Sequence, residues 1–250
     1  MKSSTEFKPD QALSILLVGD PKSGKTCVAA SFPAPYFLDV DGNLASAHRV
    51  LAGKPYWFDT PTKDVKEASE VWKKSLEYLI AAKANPDVKT IVVDSLSLLS
   101  GFACEWLVSE HVRMGDSDKN GKKIAAMTIP DYGSLLEMFR RLIFGLRQSN
   151  KYVIVTSHQQ GNKDEVTGAI KYALAIPGQA KDTLGGAFSD VWACVATPVA
   201  QGRVKYTIRT RPTGFHVALG TSIRTLDNEL DITDKTPAQI WSLLEPKLKA

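Results

Sequence analysis

The residues best placed by type and spacing to do chemistry stand near the start, where Gly19-Asp20-Pro21-Lys22-Ser23-Gly24-Lys25-Thr26 fits the pattern GxxxxGK[ST]. In a chain of 250 residues, a chance match is on the order of one in a hundred from average residue usage. The context adds more than that frequency. The apolar run Ser14-Ile15-Leu16-Leu17-Val18 precedes the motif and a helix from about Lys25 to Ser31 can follow it. Several backbone N–H groups and a helix N-terminus then surround one small volume, which suits anionic phosphates. The expected cradle comprises Gly19, Asp20, Pro21, Lys22, Ser23, Gly24, Lys25, Thr26 and Cys27. Lys25 is expected to reach the β and γ phosphates as a point charge, and Thr26 Oγ1 to ligate Mg2+, which makes ATP and Mg2+ the expected cofactors. The plainer alternative is a glycine turn with an incidental lysine.

A magnesium-bearing nucleotide calls for a further carboxylate at the end of a neighbouring strand, and Ile91-Val92-Val93-Asp94-Ser95 supplies Asp94. Hydrolysis also needs a group that orients or deprotonates the attacking water. Asp41, in Leu38-Asp39-Val40-Asp41-Gly42, is the expected residue. Asp39 shares its side of an extended strand and competes for the role, and either could instead cap the loop at Gly42.

The elements that position these groups alternate. A buried strand over 36–40 follows the first helix after Pro33 and Pro35. The spacing of Val65, Ala68, Trp72, Leu76 and Leu79 predicts one amphipathic helix from Thr60-Pro61 to Lys83, stopped by Asn85-Pro86. A strand over 90–94 and a helix over 96–112 come next. Residues 113–131 read as a long loop, since they hold two glycines, a proline and mixed charge. The apolar positions Tyr132, Leu135, Leu136, Phe139, Leu142, Ile143 and Leu146 predict a helix over 132–148, and Tyr152 to Thr156 a strand. A second Gly-rich and polar loop is expected over 159–186. Residues 191–195 and 203–209 can pair as a hairpin around Pro198 and Gly202. Within 203–211, Arg203, Lys205, Arg209 and Arg211 share one face, and no acidic residue lies between Gln201 and Arg211, so the face either serves binding or protects an exposed sheet edge. The last segment, 225–250, reads as a tail with a helix whose Thr236-Pro237-Ala238-Gln239 has capping-box spacing. The whole predicts one α/β domain over 1–250, built on a mainly parallel twisted sheet flanked by helices with a C-terminal β-hairpin.

Composition bounds the partners. Hydrophobic residues at 44% and charged residues at 23% exclude disorder as the main state. No apolar run reaches the ~18–20 residues of a spanning helix, and MKSSTEFKPDQ lacks the apolar core of a signal peptide, so a cytoplasmic protein without membrane contact is expected. Cys27, Cys104 and Cys194 lie too far apart to suggest a disulfide framework or a zinc site. A net charge of +4 is too small to identify a nucleic-acid partner by itself.

The cradle, Asp39-Val40-Asp41, Ile91-Val92-Val93-Asp94-Ser95, and Leu146-Arg147-Gln148-Ser149-Asn150 leading into Tyr152-Val153-Ile154-Val155 together resemble the P-loop ATPase core of RecA-type recombinases. More narrowly, three segments resemble the RecA-core class of phage single-strand annealing proteins. They are Phe37-Leu38-Asp39-Val40-Asp41-Gly42-Asn43, Ile129-Pro130-Asp131-Tyr132-Gly133 and Arg209-Thr210-Arg211-Pro212-Thr213-Gly214. The likeness covers roughly residues 14–215. It implies a RecA-like fold, ATP hydrolysis stimulated by DNA, ATP-dependent binding of single-stranded DNA, and annealing or strand pairing in phage recombination within a bacterial host. Assembly as a homo-oligomer on DNA or with ATP, beside a single-strand DNA-binding protein, is implied too.

By the same resemblance the water-activating carboxylate falls on Asp41, and the residue sensing the γ phosphate falls on His158, with Gln159 adjacent. The two DNA loops fall at about 113–130 and 160–186, with Arg113, Lys119, Lys122, Lys123 and Lys181 as candidate contacts. Their charge alone does not select them: acidic Asp116, Asp118, Asp164, Glu165 and Asp182 are interspersed, and only Tyr172 and Phe188 are at hand to stack on bases. Basic residues reaching the nucleotide of a neighbouring subunit fall on Arg209 or Arg211. Two other functions are open: a nucleotide-gated helicase loader or recombination mediator with little hydrolysis, and a P-loop kinase acting on a small molecule.

Overall fold

Alternate residues of β1 (Ser14–Val18) face opposite sides of a sheet: Leu16 and Val18 enter one core, Ile15 and Leu17 the other, and all are buried. A strand buried along its whole length needs cover on both faces, and it has it. The computed structural model describes residues 13–51, 53–110, 127–163, 170–213, 216 and 218–248. Its elements after β1 are α1 (Lys25–Ser31), β2 (Pro35–Asp39), α2 (Ala45–Val50), β3 (Trp57–Asp59), α3 (Pro61–Asp64), α4 (Val71–Ala84), β4 (Thr90–Asp94), α5 (Leu96–Glu110) and α6 (Ile129–Arg147). There follow β5 (Tyr152–Ser157), β6 (Gln159–Lys163), β7 (Ile170–Leu174), α7 (Ala180–Thr183), β8 (Asp190–Pro198), β9 (Val204–Arg209), β10 (Glu229–Asp231) and α8 (Pro237–Leu248).

Eight strands make one sheet in the order β10-β9-β8-β1-β5-β4-β2-β3. From β8 to β3 all neighbours are parallel, whereas β9 and β10 are added antiparallel. Trp72 and Leu79 of α4, Leu99 and Leu107 of α5, and Phe139 and Ile143 of α6 pack with Leu16 and Val18 on one face. Val28 of α1, Ala47 of α2, and Ile240 and Leu244 of α8 pack with Ile15 and Leu17 on the other. The Trp72 and Phe139 rings meet edge to face at 5.5 Å, a contact of about 0.5–1.5 kcal/mol beyond the area buried. Most consequential for function is β5, which lies between β1 and β4. Its C-terminal end therefore projects residues into the gap between the Gly19–Thr26 loop and Asp94.

Five expectations need correction. The helix expected over 60–83 is broken. Pro61 opens a single turn, Val65 is extended, and a new start is set by reciprocal side-chain to backbone bonds between Glu67 and Glu70, after which α4 runs from Val71. Only Trp72, Leu76 and Leu79 keep the predicted face. The helix expected at 132 begins at Ile129, because Thr128 and Asp131 form a capping box with Pro130 in the first turn, so the preceding loop does not extend to 131. Residues 159–186 are not one loop. β6 and β7 form an antiparallel hairpin outside the main sheet, with α7 beyond it. Finally, β9 is not a sheet edge and 225–250 is not a tail: β10 pairs with β9, and α8 packs on α1, Trp241 meeting Phe32 with ring centroids 5.2 Å apart.

Candidate nucleotide site

The loop after β1 is shaped by its neighbours. Gly19 has φ +155°, and a Cβ there would lie 2.3 Å from the Cys194 carbonyl oxygen of β8 and 2.6 Å from Ser23 Oγ, so only glycine fits. Gly24, immediately before α1, is left-handed at φ +92°. Ser23 N–H donates to the Asp20 carbonyl at 3.2 Å, while Ser23 Oγ is buried and has no hydrogen-bond partner among the described residues. A buried hydroxyl left unpaired in this way costs stability unless something polar reaches it. α1 has only seven residues, so the concave run of backbone N–H groups, more than a helix dipole, makes this a place for an anion.

Lys25 is 6% exposed, and its ammonium donates to the Gly19 and Asp20 carbonyls, both at 2.9 Å. Burial lowers its pKa, with Cys194, Asp94, Asp20 and Asp41 pulling the other way. Next to it, Thr26 Oγ1 donates to Asp94 Oδ2 at 2.8 Å, and Thr156 Oγ1 of β5 donates to Asp94 Oδ1 at 2.5 Å. Burial raises the Asp94 pKa and the two hydroxyls oppose it. The hydroxyl, the carboxylate and the ammonium thus meet where β1, β5 and β4 end.

Asp39 and Asp41 separate cleanly. Asp39 is 3% exposed and turns to the following loop, accepting from Asn43 N–H at 3.0 Å and from Thr60 Oγ1 at 3.4 Å; burial raises its pKa. Asp41 lines the cleft. Its Oδ1 accepts from Ser95 N–H at 3.1 Å and from Ser95 Oγ at 2.8 Å, and its Oδ2 stands 3.9 Å from His158 Nε2. The His158 ring lies between Asp41 and Lys25, with Nδ1 3.5 Å from Nζ, and its backbone N–H donates to Ser97 Oγ at 2.9 Å. Gln159 goes elsewhere. Its Nε2 donates to Asp20 Oδ1 at 3.2 Å, and its Oε1 is 3.0 Å from His216 Nε2, whose ring stacks on Tyr172 of β7 at 4.6 Å.

The cleft so formed holds about 600 Å³ and is lined by every residue from Pro21 to Cys27, together with Asp41, Asn43, Asp94 and His158. Gly19 and Asp20 underlie it through the carbonyls that Lys25 holds. Cys27 is half-buried, and burial pushes its thiol pKa up; buried Cys194, behind Gly19, is pushed up to about 12, again by burial. The far side of the cleft is made by Tyr206, Ile232, Asp234 and Lys235. Sequence reasoning did not find these four, since no local pattern marks them and only the pairing of β9 with β10 brings them to the loop.

The remaining candidates lie apart. Arg113, Lys119, Lys122 and Lys123 fall outside the described residues. Lys181, on α7, borders a second cavity of about 430 Å³ walled by Leu16, Val18, Leu174 and Val191. Arg209 Nε donates to Glu229 Oε2 and Lys205 Nζ to Glu229 Oε1, both at 3.1 Å. The basic face of 203–211 is therefore partly neutralised by an acid from β10 that is remote in sequence. Arg209 alternates with Tyr206 along β9 and so faces away from the wall that Tyr206 contributes. Arg211, half-buried, follows the end of that strand.

The residues present fit a magnesium nucleotide. Gly19 leaves the space that a side chain would fill, the unpaired Ser23 Oγ and the loop N–H groups supply donors, and Lys25 supplies charge. Thr26 and Asp94 are the pair that would hold Mg2+, which takes few protein ligands and leaves the rest to water and phosphate. Bound there, the metal would supply charge neutralisation on the phosphates. Asp41 and His158 are the groups that would orient a water beside the phosphates and accept its proton.

A family model described as "AAA domain" matches residues 11–220. The chain belongs to that family. Its fold is a mainly parallel sheet flanked by helices with the phosphate loop between β1 and α1, and the family match places this chain among P-loop ATPase-family proteins. Similar solved structures include a KaiC-like protein from the hyperthermophilic archaeon Pyrococcus horikoshii OT3, at 12% identity and TM-score 0.45, covering 88% of this chain and 84% of that one. The RadB recombinase is also similar, at 16% identity and TM-score 0.42, covering 81% and 84%. No curated protein sequence matches significantly. Among the described residues no helix is long and apolar enough to cross a membrane.

Proposed function

We propose that this AAA-domain protein is a Mg2+-dependent ATPase that binds single-stranded DNA under the control of bound ATP and promotes annealing or strand pairing in phage recombination. It works as a homo-oligomer formed on DNA or with ATP, alongside a single-strand DNA-binding protein. The observation that carries the reading is the continuity between the phosphate loop and the β6–β7 hairpin. His158 contacts Lys25 and Asp41, the next residue opens β6 and bonds Asp20 of the loop, and through His216 that same Gln159 reaches Tyr172 on β7. A change at the γ-phosphate end of the cleft is thus one residue away from the segment proposed to meet DNA, so ATP and DNA can bias one two-state element.

The test measures ATP turnover and oligonucleotide affinity, each with and without the other ligand, for wild type and Lys25→Ala. Wild type should turn over faster with single-stranded DNA and bind it more tightly with ATP, and Lys25→Ala should lose both effects. Equal DNA affinity with and without ATP, together with unstimulated turnover, refutes the proposal. A mediator or loader with little hydrolysis is the second reading, favoured by the double hydrogen bond that engages Asp41 Oδ1 at Ser95. Intact ATP-dependent DNA binding with negligible turnover would select it.

A further inference from the structure

The cleft has two ends of different chemistry. One is the phosphate loop with its carboxylates. The other consists of Tyr206 from β9 and the turn 232–235 that leads from β10 to α8. A side chain at Gly24 would meet Tyr206 Cδ1 at 3.7 Å and Ile232 Cδ1 at 4.0 Å, so this second wall lies directly against the loop. The wall is built rather than incidental. Ile232 N–H donates to the Tyr206 carbonyl at 2.9 Å and Tyr206 N–H to Thr233 Oγ1 at 3.0 Å, while Lys235 N–H closes the turn on the Ile232 carbonyl at 3.2 Å. Asp234 sits in the turn at φ +55°, a left-handed conformation that side chains seldom adopt, and it is exposed at the cleft. Ile232, Asp234 and Lys235 also lie beyond residue 220, where the family match ends.

We infer that Tyr206 and the 232–235 turn hold the nucleoside half of the bound nucleotide, so that base and sugar are recognised by the C-terminal segment. This deepens the nucleotide reading above and rests on it. The phosphate loop can read only anionic oxygens, because its donors are backbone N–H groups and an ammonium. A nucleoside presents flat, weakly polar faces and outward hydroxyl and amino hydrogens. The half-buried Tyr206 ring, backed by the buried Ile232 side chain at the cleft wall, offers a surface for the former. Asp234 accepts from the latter, and Lys235 is the neighbouring donor. The polar contacts to base and sugar then come from a part of this chain outside the shared family region, against a Tyr206 ring that lies within it.

The test compares the affinity of Mg-ATP with that of magnesium tripolyphosphate, which has the phosphates without base or sugar, by calorimetry on the full chain. Wild type should bind ATP more tightly. Tyr206→Ala should weaken ATP about tenfold or more, the scale of losing one stacking surface, while leaving tripolyphosphate within about twofold. Asp234→Gly, an exposed change that suits the left-handed turn, should weaken ATP roughly three- to tenfold with tripolyphosphate again unmoved. Retained tripolyphosphate binding shows that each variant keeps its phosphate loop. If both variants keep the wild-type ratio of the two affinities, or wild type does not distinguish the ligands, this inference is overturned and the phosphate site stands. If wild type binds neither ligand, the nucleotide reading itself fails.

Discussion

Asp94→Asn separates what this carboxylate does for binding from what it does to the fold. In the folded chain Asp94 accepts from Thr156 and Thr26, yet burial still raises its pKa, and the nearby Asp41 acts in the same direction. The folded value thus lies above that of the unfolded chain, ~3.9. The stability contributed by this group is fully present below that unfolded value and is lost as pH rises through the folded one. Once ionised, the carboxylate is a liability to the ligand-free fold. Asparagine keeps the shape, stays neutral, and can accept from one threonine while donating to the other, whose hydroxyl can turn to accept. The ligand-free variant is therefore expected to gain in stability over wild type as pH rises from 4 to 8. The gain should shrink as pH falls and vanish below about pH 4. With Mg-ATP the order reverses. Wild type gains ~2.7 kcal/mol at a hundredfold excess of ligand over Kd, and the variant, without the carboxylate proposed to help hold the metal, gains little. Thermal melts from pH 4 to 8, with and without Mg-ATP, read both effects. A ligand-free variant that melts below wild type at pH 7, or a difference independent of pH, refutes the account of Asp94.

Gly19→Ala places a methyl group 2.3 Å from a backbone carbonyl that cannot rotate away. Overpacking of this kind costs ~1–3 kcal/mol, so the variant should melt several degrees lower and bind tripolyphosphate more weakly than wild type, as denaturant titration and calorimetry would measure. Ile240→Ala tests whether α8 belongs to the domain: Ile240 is 1% exposed in the core beneath α1, and a loss of ~2–5 kcal/mol is expected by urea unfolding. A loss within ~0.5 kcal/mol, ordinary for a surface position, would mean that α8 is dispensable.

The parallel core was legible because its strands are unbroken apolar runs and its helices carry apolar faces at the right spacing. Ser14 to Val18, Thr90 to Asp94 and Tyr152 to Thr156 need no partner information to be read as buried strands. What failed to show is what depends on partners. β6 is Gln159-Gln160-Gly161-Asn162-Lys163, which has no apolar alternation, and it becomes a strand only through its pairing with β7. β3 and β10 have three residues each, too short for any period to register. The basic face of β9 looked unopposed along the sequence because its counter-charge, Glu229, comes from the paired strand β10, remote in sequence.

The site divides along the same line. A phosphate loop is local: one glycine to clear a carbonyl, another to turn, a lysine and a threonine at fixed offsets, so its residues can be named from spacing alone. Asp94 follows from ending an apolar strand. The choice between Asp39 and Asp41 does not follow from spacing, since both occupy the same side of an extended strand; it depends on β2 ending at Asp39, where Asn43 and Thr60 claim that carboxylate, and on Ser95 approaching Asp41. The wall opposite the phosphates is less local still. Tyr206 and Asp234 are 28 positions apart and reach the loop only because an antiparallel pair folds back beside β8. Chemistry common to many nucleotides is therefore written in contiguous residues, and whatever distinguishes one nucleotide from another here is written in the way the sheet closes.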